Sequence, residues 1–131
     1  MARIAPGLFY ESLDAADAAV VASGTATLQA GMRGTPMVVI YKIHPVTAWF
    51  GRRLVKIRNI ALVNLVAGAE VVPELLQEKC TAEGIAAALT PFLDDPEARR
   101  RTQAALLEVR SRLGPPGAFE RAARVVLEGK V

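Results

Sequence analysis

The sequence predicts an α/β fold with a small parallel sheet of three to four strands and a helical C-terminal tail. Short apolar runs bounded by turn residues occur at residues 18–22 and 37–41, which is typical of strands buried on both faces. The segment between them is long enough for a short helix and two turns, as a parallel crossover requires. From residue 81 onward the apolar residues follow helical spacing. A doubly wound domain usually has more strands, so the sequence predicts a partial, Rossmann-like sheet.

The N-terminal part of the chain predicts strands and helices in alternation. Residues 7–10 predict a short strand, and residues 11–17 predict one or two helical turns. The turn Ser23-Gly24-Thr25 leads into a helix over residues 25–32, which Gly34 ends. This order of elements is that of a βαβ unit.

The middle of the chain gives weaker signals. Residues 46–55 predict a helix, which begins after His44-Pro45 breaks the preceding strand. Residues 60–62 predict a further short strand, and residues 63–69 predict a loop that contains Asn and Gly. Residues 73–77 predict a single helical turn that starts at a proline.

Three helices are predicted in the tail, which begins at about residue 81 and runs to residue 131. They are residues 82–93, capped by Thr81, the residues between Pro96 and Gly114, and residues 119–128. The chain as a whole, residues 1–131, predicts one partial domain.

Charge is distributed unevenly along the chain. The 131 residues contain 16 Lys and Arg and 13 Asp and Glu, for a net charge of +3, and the 52% hydrophobic content excludes a disordered chain. Residues 18–69 contain six basic residues and no acidic residue. A site for phosphates or an anionic surface needs such a stretch, because a nearby carboxylate would repel both. Basic side chains on solvated helix faces would produce the same pattern.

Cysteine usage and targeting signals point to a reducing cytosol. Cys80 is the single cysteine, so it forms no disulfide within the chain, and no Cys/His cluster predicts a metal site. The N-terminus lacks the pattern of a signal peptide, and no apolar run is long enough to predict a spanning helix.

The strongest candidate site in the sequence is the turn Ser23-Gly24-Thr25. In open α/β sheets, ligands bind beyond the carboxyl ends of the strands, where a helix N-terminus offers unpaired backbone N–H groups to an anion. Small residues allow a phosphate to approach the backbone, and the hydroxyl groups add donors. The same turn could also be no more than a helix cap.

Two further segments are candidates. Asn64 is a neutral donor and acceptor that could hold a sugar hydroxyl or a phosphate oxygen, or could simply occupy a turn. The other candidate is the basic segment of residues 44–58, whose apolar and basic side chains suit an interface with anionic lipids. A helix that packs on the core and exposes its arginines to water would have the same sequence pattern. The sequence has few aromatic residues and no recognised nucleic-acid-binding motif, which argues against nucleic acid as the ligand of this segment. The residues of this basic segment are Trp49, Phe50, Arg52, Arg53 and Lys56.

Four stretches together carry a resemblance to a known family. They are residues 16–28 (ADAAVVASGTATL), 34–42 (GTPMVVIYK), 54–56 (LVK) and 64–77 (NLVAGAEVVPELLQ). With them the chain resembles the C-terminal portion of lipid-A-disaccharide synthases from about Leu8 to its end.

The resemblance implies a glycosyltransferase of the two-Rossmann-domain (GT-B) type, whose C-terminal domain holds the donor. Such an enzyme joins UDP-2,3-diacylglucosamine to 2,3-diacylglucosamine 1-phosphate. The products are a β-1,6-linked disaccharide phosphate and UDP, with inversion at the sugar carbon. The resemblance implies peripheral association with the cytoplasmic face of the inner membrane, and we expect no metal and no other cofactor.

The resemblance also implies roles for individual donor-site residues. Ser23, Gly24 and Thr25 would cradle the diphosphate. Gln29 stands where related transferases usually have a glutamate that binds the ribose hydroxyls. An amide can bind a diol as well, but without charge assistance.

Asn64 matches the asparagine of the family's Asn-Leu-Leu-Ala-Gly motif, which implies a place near the donor phosphates or sugar. Val63 stands where the family usually has proline, and Ala69 where it usually has arginine. Because of these two departures, the family's role for this loop is carried over to residues 63–69 less securely than its role for the Ser23 turn. The resemblance identifies no catalytic base in this chain, and it does not make His44 catalytic.

Three hypotheses follow. Because the family's chains are much longer, the first is that the chain is a truncated, split or partial lipid-A-disaccharide synthase, which we expect to be inactive alone. The second is a non-catalytic remnant that binds UDP, a membrane or a partner and that can form a homo-oligomer through its open sheet edge and apolar helix faces. The third is another UDP-sugar enzyme of the same fold type, against which residues 64–77 argue.

Overall fold

The central feature of the fold is a parallel sheet of three strands, seen in a computed structural model that describes residues 4–42 and 59–129. The strands are β1 (Ala19–Ala22), β2 (Met37–Tyr41) and β3 (Glu74–Leu76), in the order β1-β2-β3. Ala22 pairs with Ile40 and Tyr41 pairs with Leu76, so the three carboxyl ends meet at one edge. The predicted α/β fold with a parallel sheet of three to four strands is confirmed.

Six helices and one 3-10 turn surround the sheet in the described residues. They are α1 (Phe9–Ala15), α2 (Thr25–Arg33), α3 (Leu62–Ala67), α4 (Ala82–Asp94), α5 (Pro96–Arg112) and α6 (Ala118–Glu128), with the 3-10 turn at Gln77–Lys79. The helices predicted at residues 25–32, 82–93 and 119–128, and between Pro96 and Gly114, are confirmed within one or two residues. The helix predicted at residues 46–55 lies outside the described residues.

Local capping explains why two of these helices begin where they do. The Thr81 hydroxyl accepts a hydrogen bond from the Gly84 amide at 3.0 Å, as predicted for the start of α4. Asp95 caps α5 in the same way, and the hydrogen bonds from the amides of Ala98 and Glu97 lower the pKa of its carboxyl group from the usual 3.8.

The core lies where β2 meets α2, α3 and α5. Met37, Val38 and Val39 are fully buried, because β2 has a strand on each side and other parts of the chain pack against both of its faces. The three helices contact one another and contribute one contiguous cluster on the Met37 and Val39 face. Its fully buried side chains include Ala30, Val63, Leu106 and Val109.

Gly31 sets the distance between α2 and α3. A Cβ atom at this position would lie 2.8 Å from Cγ2 of Val63 and 3.6 Å from Cδ2 of Leu106. Two carbon atoms cannot pack at 2.8 Å, so glycine is what allows α3 to approach α2 so closely. The close approach brings α3 against the helix that follows the Ser23 turn.

The structure corrects the prediction of a strand at residues 7–10. The chain is helical from Phe9 to Ala15, with Leu13 as its buried residue. The hydroxyl of Thr35 donates to the Leu13 carbonyl at 3.0 Å, so α1 is held at the entry to β2. Short apolar runs do not distinguish a strand from a helical turn, and here the contact with α2 favours the helix.

Three predictions in the middle of the chain are also wrong. Residues 60–62 do not form a strand, and most of the predicted loop at 63–69 is helix α3. The predicted helical turn at residues 73–77 is instead strand β3, because the open edge of β2 offers hydrogen bonds there. The Val39 amide donates to the Pro73 carbonyl at 2.9 Å, which starts this pairing.

The prediction that β1 is buried on both faces is wrong. Val21 is 8% exposed, whereas Val20 on the opposite face is 43% exposed. β1 is an edge strand of the described sheet, so only its inner face has a complete cover.

The tail helices are buried unevenly. Phe92, Leu106 and Val109 are buried, whereas Leu93 and Leu107 beside them are exposed. The apolar side chains of α6 remain exposed, with Phe119 at 91% and Leu127 at 86%. Within the described residues, no helix has both the length and the apolar character needed to cross a membrane.

Candidate functional site

The turn between β1 and α2 lies at the carboxyl edge of the sheet, as predicted for Ser23, Gly24 and Thr25. The Ser23 amide donates to the Ile40 carbonyl at 2.9 Å, so the start of the turn is fixed to β2. Gly24 has φ +154° and ψ −165°, a conformation that side chains with a Cβ atom rarely adopt. Among residues 4–42 and 59–129, no atom lies within 4 Å of a Cβ atom placed there, so the described part of the chain leaves the space in front of the turn open.

The first turn of α2 has the electrostatics of an anion site. The N-cap residue of α2 is Gly24, which has no side chain to cap the helix, and the first turn holds no acidic residue. The amide dipoles of α2 therefore direct an uncompensated partial positive charge toward the open space. Ser23 is half-buried and Thr25 is exposed, so both hydroxyl groups lie close to the surface of this turn.

Thr27 stabilises the turn from within. Its side chain is fully buried, and its hydroxyl donates to the Gly24 carbonyl at 2.8 Å. Its backbone amide donates to the same carbonyl at 3.2 Å. Thr27 therefore holds Gly24 in its conformation, and its hydroxyl is used within the turn rather than offered to a ligand.

Gln29 lies one helical turn after Thr25, on the same side of α2. Its side-chain Nε2 donates to the hydroxyl oxygen of Tyr10 on α1 at 3.0 Å. No local pattern in the sequence indicates this contact, because Tyr10 is 19 residues away. Sequence reasoning therefore missed Tyr10.

Asn64 lies on α3 and is fully buried. Its Nδ2 donates to the Val72 carbonyl and to the Glu74 carboxylate, both at 2.8 Å. Its Oδ1 accepts from the amides of Val71 and Val72 at 2.9 and 3.1 Å. These four hydrogen bonds use both donors and both acceptor positions of the amide. The contact between Asn64 and a donor phosphate or sugar stays a prediction, and the structure adds a role in joining α3 to β3.

Glu74 completes this network and was missed as a site residue. Besides Asn64, its carboxylate accepts from the amide of Ile60 at 2.8 Å and from the amide of Ala61 at 3.1 Å. These amides immediately precede α3, where a carboxylate stabilises a helix start. The side chain reaches them from strand β3, which explains why the sequence, read as a helical turn, gave no signal for it.

The start of α2 thus brings together Ser23, Gly24, Thr25 and Gln29, whereas Asn64 is buried in the neighbouring helix α3. The basic candidates fall outside the described residues: Trp49, Phe50, Arg52, Arg53 and Lys56. Among residues 4–42 and 59–129, no three His, Cys, Asp or Glu side chains are grouped as metal ligands would be. The arrangement is therefore suited to binding an anion through backbone amides.

Comparison with known proteins identifies the family. A family model described as lipid-A-disaccharide synthetase matches residues 5–127, nearly the whole chain. The chain belongs to the lipid-A-disaccharide synthetase family. The resemblance carried by the four sequence stretches is therefore confirmed.

Curated relatives of this family cover the chain at high identity. The lipid-A-disaccharide synthase of Anaeromyxobacter dehalogenans is 48% identical over 125 residues, and that of Syntrophus aciditrophicus is 46% identical over 125 residues. The synthase of Geobacter metallireducens is 45% identical over 119 residues. These alignments cover 91–95% of this chain but only 31–33% of the relatives. The chain therefore spans about a third of the length of the lipid-A-disaccharide synthases that it matches.

Proposed function

We propose that this chain provides the donor-binding part of a lipid-A-disaccharide synthase, a hexosyltransferase. The reaction proposed for the whole enzyme transfers 2,3-diacylglucosamine from UDP to 2,3-diacylglucosamine 1-phosphate. It yields the β-1,6-linked disaccharide phosphate and UDP. Family membership supports this reaction class, and the glycine turn at the carboxyl end of β1 is the observation that carries the binding role.

The chemical contribution of this chain is to hold the diphosphate. Negative charge develops on the UDP leaving group as the sugar carbon is attacked, and fixed donors stabilise that charge without having to reorient. The amides at the start of α2 and the hydroxyls of Ser23 and Thr25 are such donors. Thr27 and the β2 carbonyl of Ile40 hold the turn rigid, which supports preorganisation of the site.

Gln29 is proposed to bind the ribose of the same donor. It follows the diphosphate turn by one helical turn, so a nucleotide anchored at Thr25 can extend along this side of α2. Asn64 and Glu74 are proposed to act on the site through the position of α3, which packs against α2. A direct contact of Asn64 with the donor would require its side chain to leave hydrogen bonds with β3 and the preceding loop.

We also propose that the enzyme acts at the cytoplasmic face of the inner membrane as a peripheral protein. The acylated substrates of the proposed reaction support this location. In the sequence, Trp49 and Phe50 beside Arg52, Arg53 and Lys56 combine apolar and basic residues as interfacial segments do.

Titration of the purified chain with UDP tests the binding role. We expect binding in the millimolar range or tighter, measured by calorimetry, and at least about tenfold weaker binding in Thr25→Glu. A carboxylate at the first position of α2 favours the helix but repels a phosphate, so the variant should fold normally. Thr90→Glu makes the same change of charge at an exposed position of α4 and should bind UDP like the wild type. Equal binding by Thr25→Glu and the wild type would contradict the proposal.

A second proposal concerns self-association. The exposed side chains of Phe119, Val126 and Leu127 on α6, at 80–91% exposure, support packing of this helix against another polypeptide, for which a second copy is the candidate. Light scattering after size exclusion should find an oligomer that Leu127→Arg dissociates. A monomer at high protein concentration would exclude this proposal, and Ser111→Arg on exposed α5 surface is the control.

A further inference from the structure

The contact between Tyr10 and Gln29 creates a hydrogen-bonding pair beside the proposed diphosphate turn. Thr25, Gln29 and Arg33 are spaced by four residues, so they form a row along one side of α2. Tyr10 reaches this row from α1, and its hydroxyl oxygen lies 3.0 Å from Nε2 of Gln29. The pair therefore lies one helical turn from the N-terminus of α2.

The ring of Tyr10 is held on several sides. The guanidinium carbon of Arg33 lies 4.9 Å from the ring centroid, in the geometry of a cation–π contact. Arg33 is itself held by a 2.8 Å ion pair with Asp14 of α1. The ring of Phe9 packs edge-on at a centroid distance of 5.3 Å. The position of the Tyr10 hydroxyl is thus set by contacts that do not involve Gln29.

The direction of the hydrogen bond determines what the pair can offer to a ligand. Nε2 of Gln29 donates, and the oxygen of Tyr10 accepts. The amide oxygen of Gln29 and the hydroxyl proton of Tyr10 are not used by this contact. One acceptor and one donor side by side complement two adjacent hydroxyl groups, of which one donates and the other accepts.

We propose that Tyr10 is a positioning and specificity residue that, together with Gln29, recognises the vicinal hydroxyls of a ribose. This inference rests on the proposed function, because the ribose belongs to the nucleoside diphosphate bound at the Ser23 turn. Tyr10 orients the Gln29 amide so that its oxygen accepts from the 3′-hydroxyl, and the proton of Tyr10 binds the 2′-hydroxyl. Tyr10 thereby supplies a donor that the amide alone lacks.

This inference is tested by combining the removal of the Tyr10 hydroxyl with the removal of one ribose hydroxyl, as in a double-mutant cycle. The wild type, Tyr10→Phe and the control Tyr41→Phe, which removes the hydroxyl of the other tyrosine, are each titrated with UDP and with 2′-deoxy-UDP. We expect the wild type to prefer UDP by about fivefold, the effect of one neutral hydrogen bond. Tyr10→Phe should lose this preference by weakening the binding of UDP more than that of 2′-deoxy-UDP, and Tyr41→Phe should keep it. Phenylalanine retains the ring contacts with Arg33 and Phe9, so melting temperatures should stay close to that of the wild type.

Gln29→Glu provides an independent readout of the same geometry. The carboxylate would accept the proton of Tyr10, which reverses their hydrogen bond and leaves no proton of Tyr10 for the ribose. Charge assistance should then tighten UDP binding by about fivefold or more. In this background, Tyr10→Phe should no longer change the ratio of the two ligand affinities.

The outcomes separate this inference from the proposed function. If UDP binds and Tyr10→Phe weakens both ligands equally, Tyr10 only supports the fold, and the inference is overturned. An unchanged preference in Tyr10→Phe overturns it as well, while the diphosphate site stands. If the wild type binds neither ligand, the proposed donor site fails and the inference fails with it.

Discussion

Replacing Asn64 with alanine would test the network that joins α3 to β3. The side chain is fully buried, and its amide makes four hydrogen bonds with Val71, Val72 and Glu74. Alanine removes all four and leaves two backbone amides and one carbonyl without this partner. Since these groups lie seven to ten residues away along the chain, the substitution acts on tertiary structure and not on the helix alone.

The magnitude follows from the four contacts. A hydrogen bond contributes a net value of about 0.5–1.5 kcal/mol to stability, so four contribute about 2–6 kcal/mol. Val71 and Glu74 are only half-buried, so water can replace part of what is lost. We therefore expect Asn64→Ala to lower the free energy of unfolding by about 3 kcal/mol, in a domain whose total is of order 5–15 kcal/mol.

Urea unfolding followed by far-UV circular dichroism measures this change. Gln103→Ala is the matched control, because it removes a half-buried amide on α5 and should change stability by less than about 0.5 kcal/mol. A loss below about 1 kcal/mol in Asn64→Ala would refute the reasoning, since it would mean that the four contacts are not formed together.

Asn64→Asp sharpens the test. A carboxylate at this position still accepts from the amides of Val71 and Val72 but faces the carboxylate of Glu74. Like charges in a buried site repel, so at neutral pH the loss should exceed that of Asn64→Ala. Acidification should recover part of it, because a protonated carboxyl group donates again. Identical losses for the two variants at every pH would show that the contact with Glu74 is absent.

Three further predictions concern the core, a close contact and a cap. Leu106→Ala should lower the free energy of unfolding by about 2–5 kcal/mol in urea titrations, whereas Leu107→Ala, at a half-exposed position, should cost less than about 1 kcal/mol. Gly31→Ala should destabilise by about 1 kcal/mol, because the clash with Val63 outweighs the gain in helix propensity, and a stabilised variant would contradict this packing. The hydrogen bonds to the Asp95 carboxylate lower its pKa in the folded state. Asp95 therefore contributes to stability at pH values above its unfolded-state pKa, and this contribution is lost as the pH falls through its folded-state pKa. Thermal melts of Asp95→Asn below about pH 4 should therefore show a weaker loss on acidification than those of the wild type.

The segment from residue 59 to residue 77 shows where sequence reasoning reached its limit. Strand β3 has only three residues and α3 only six, too short for an apolar period to distinguish helix from strand. The open hydrogen-bonding edge of β2 made residues 74–76 a strand. The carboxylate of Glu74 then fixed the start of α3, so two assignments depended on one tertiary contact.

The candidate site divides in the same way. Ser23, Gly24 and Thr25 were predicted at a strand–turn–helix junction, and the structure has that junction at the carboxyl edge of the sheet. The partners of Gln29 and Asn64 could not be predicted, because each lies on a different element. Whether these residues bind the donor stays a prediction.

The sequence by itself determined the unit of β1, its glycine turn, α2 and β2, and it determined the capped helices α4 and α5. Their signals are local: buried apolar runs, a glycine at positive φ, and cap residues whose hydrogen bonds span a few positions. Only the tertiary structure decided that the first helix already includes residues 9 and 10, that β1 is an edge strand, and that all hydrogen-bonding positions of the Asn64 amide are used within the chain. Each of these depends on which distant group is near enough to share a hydrogen bond or exclude water, and such neighbours are set by packing.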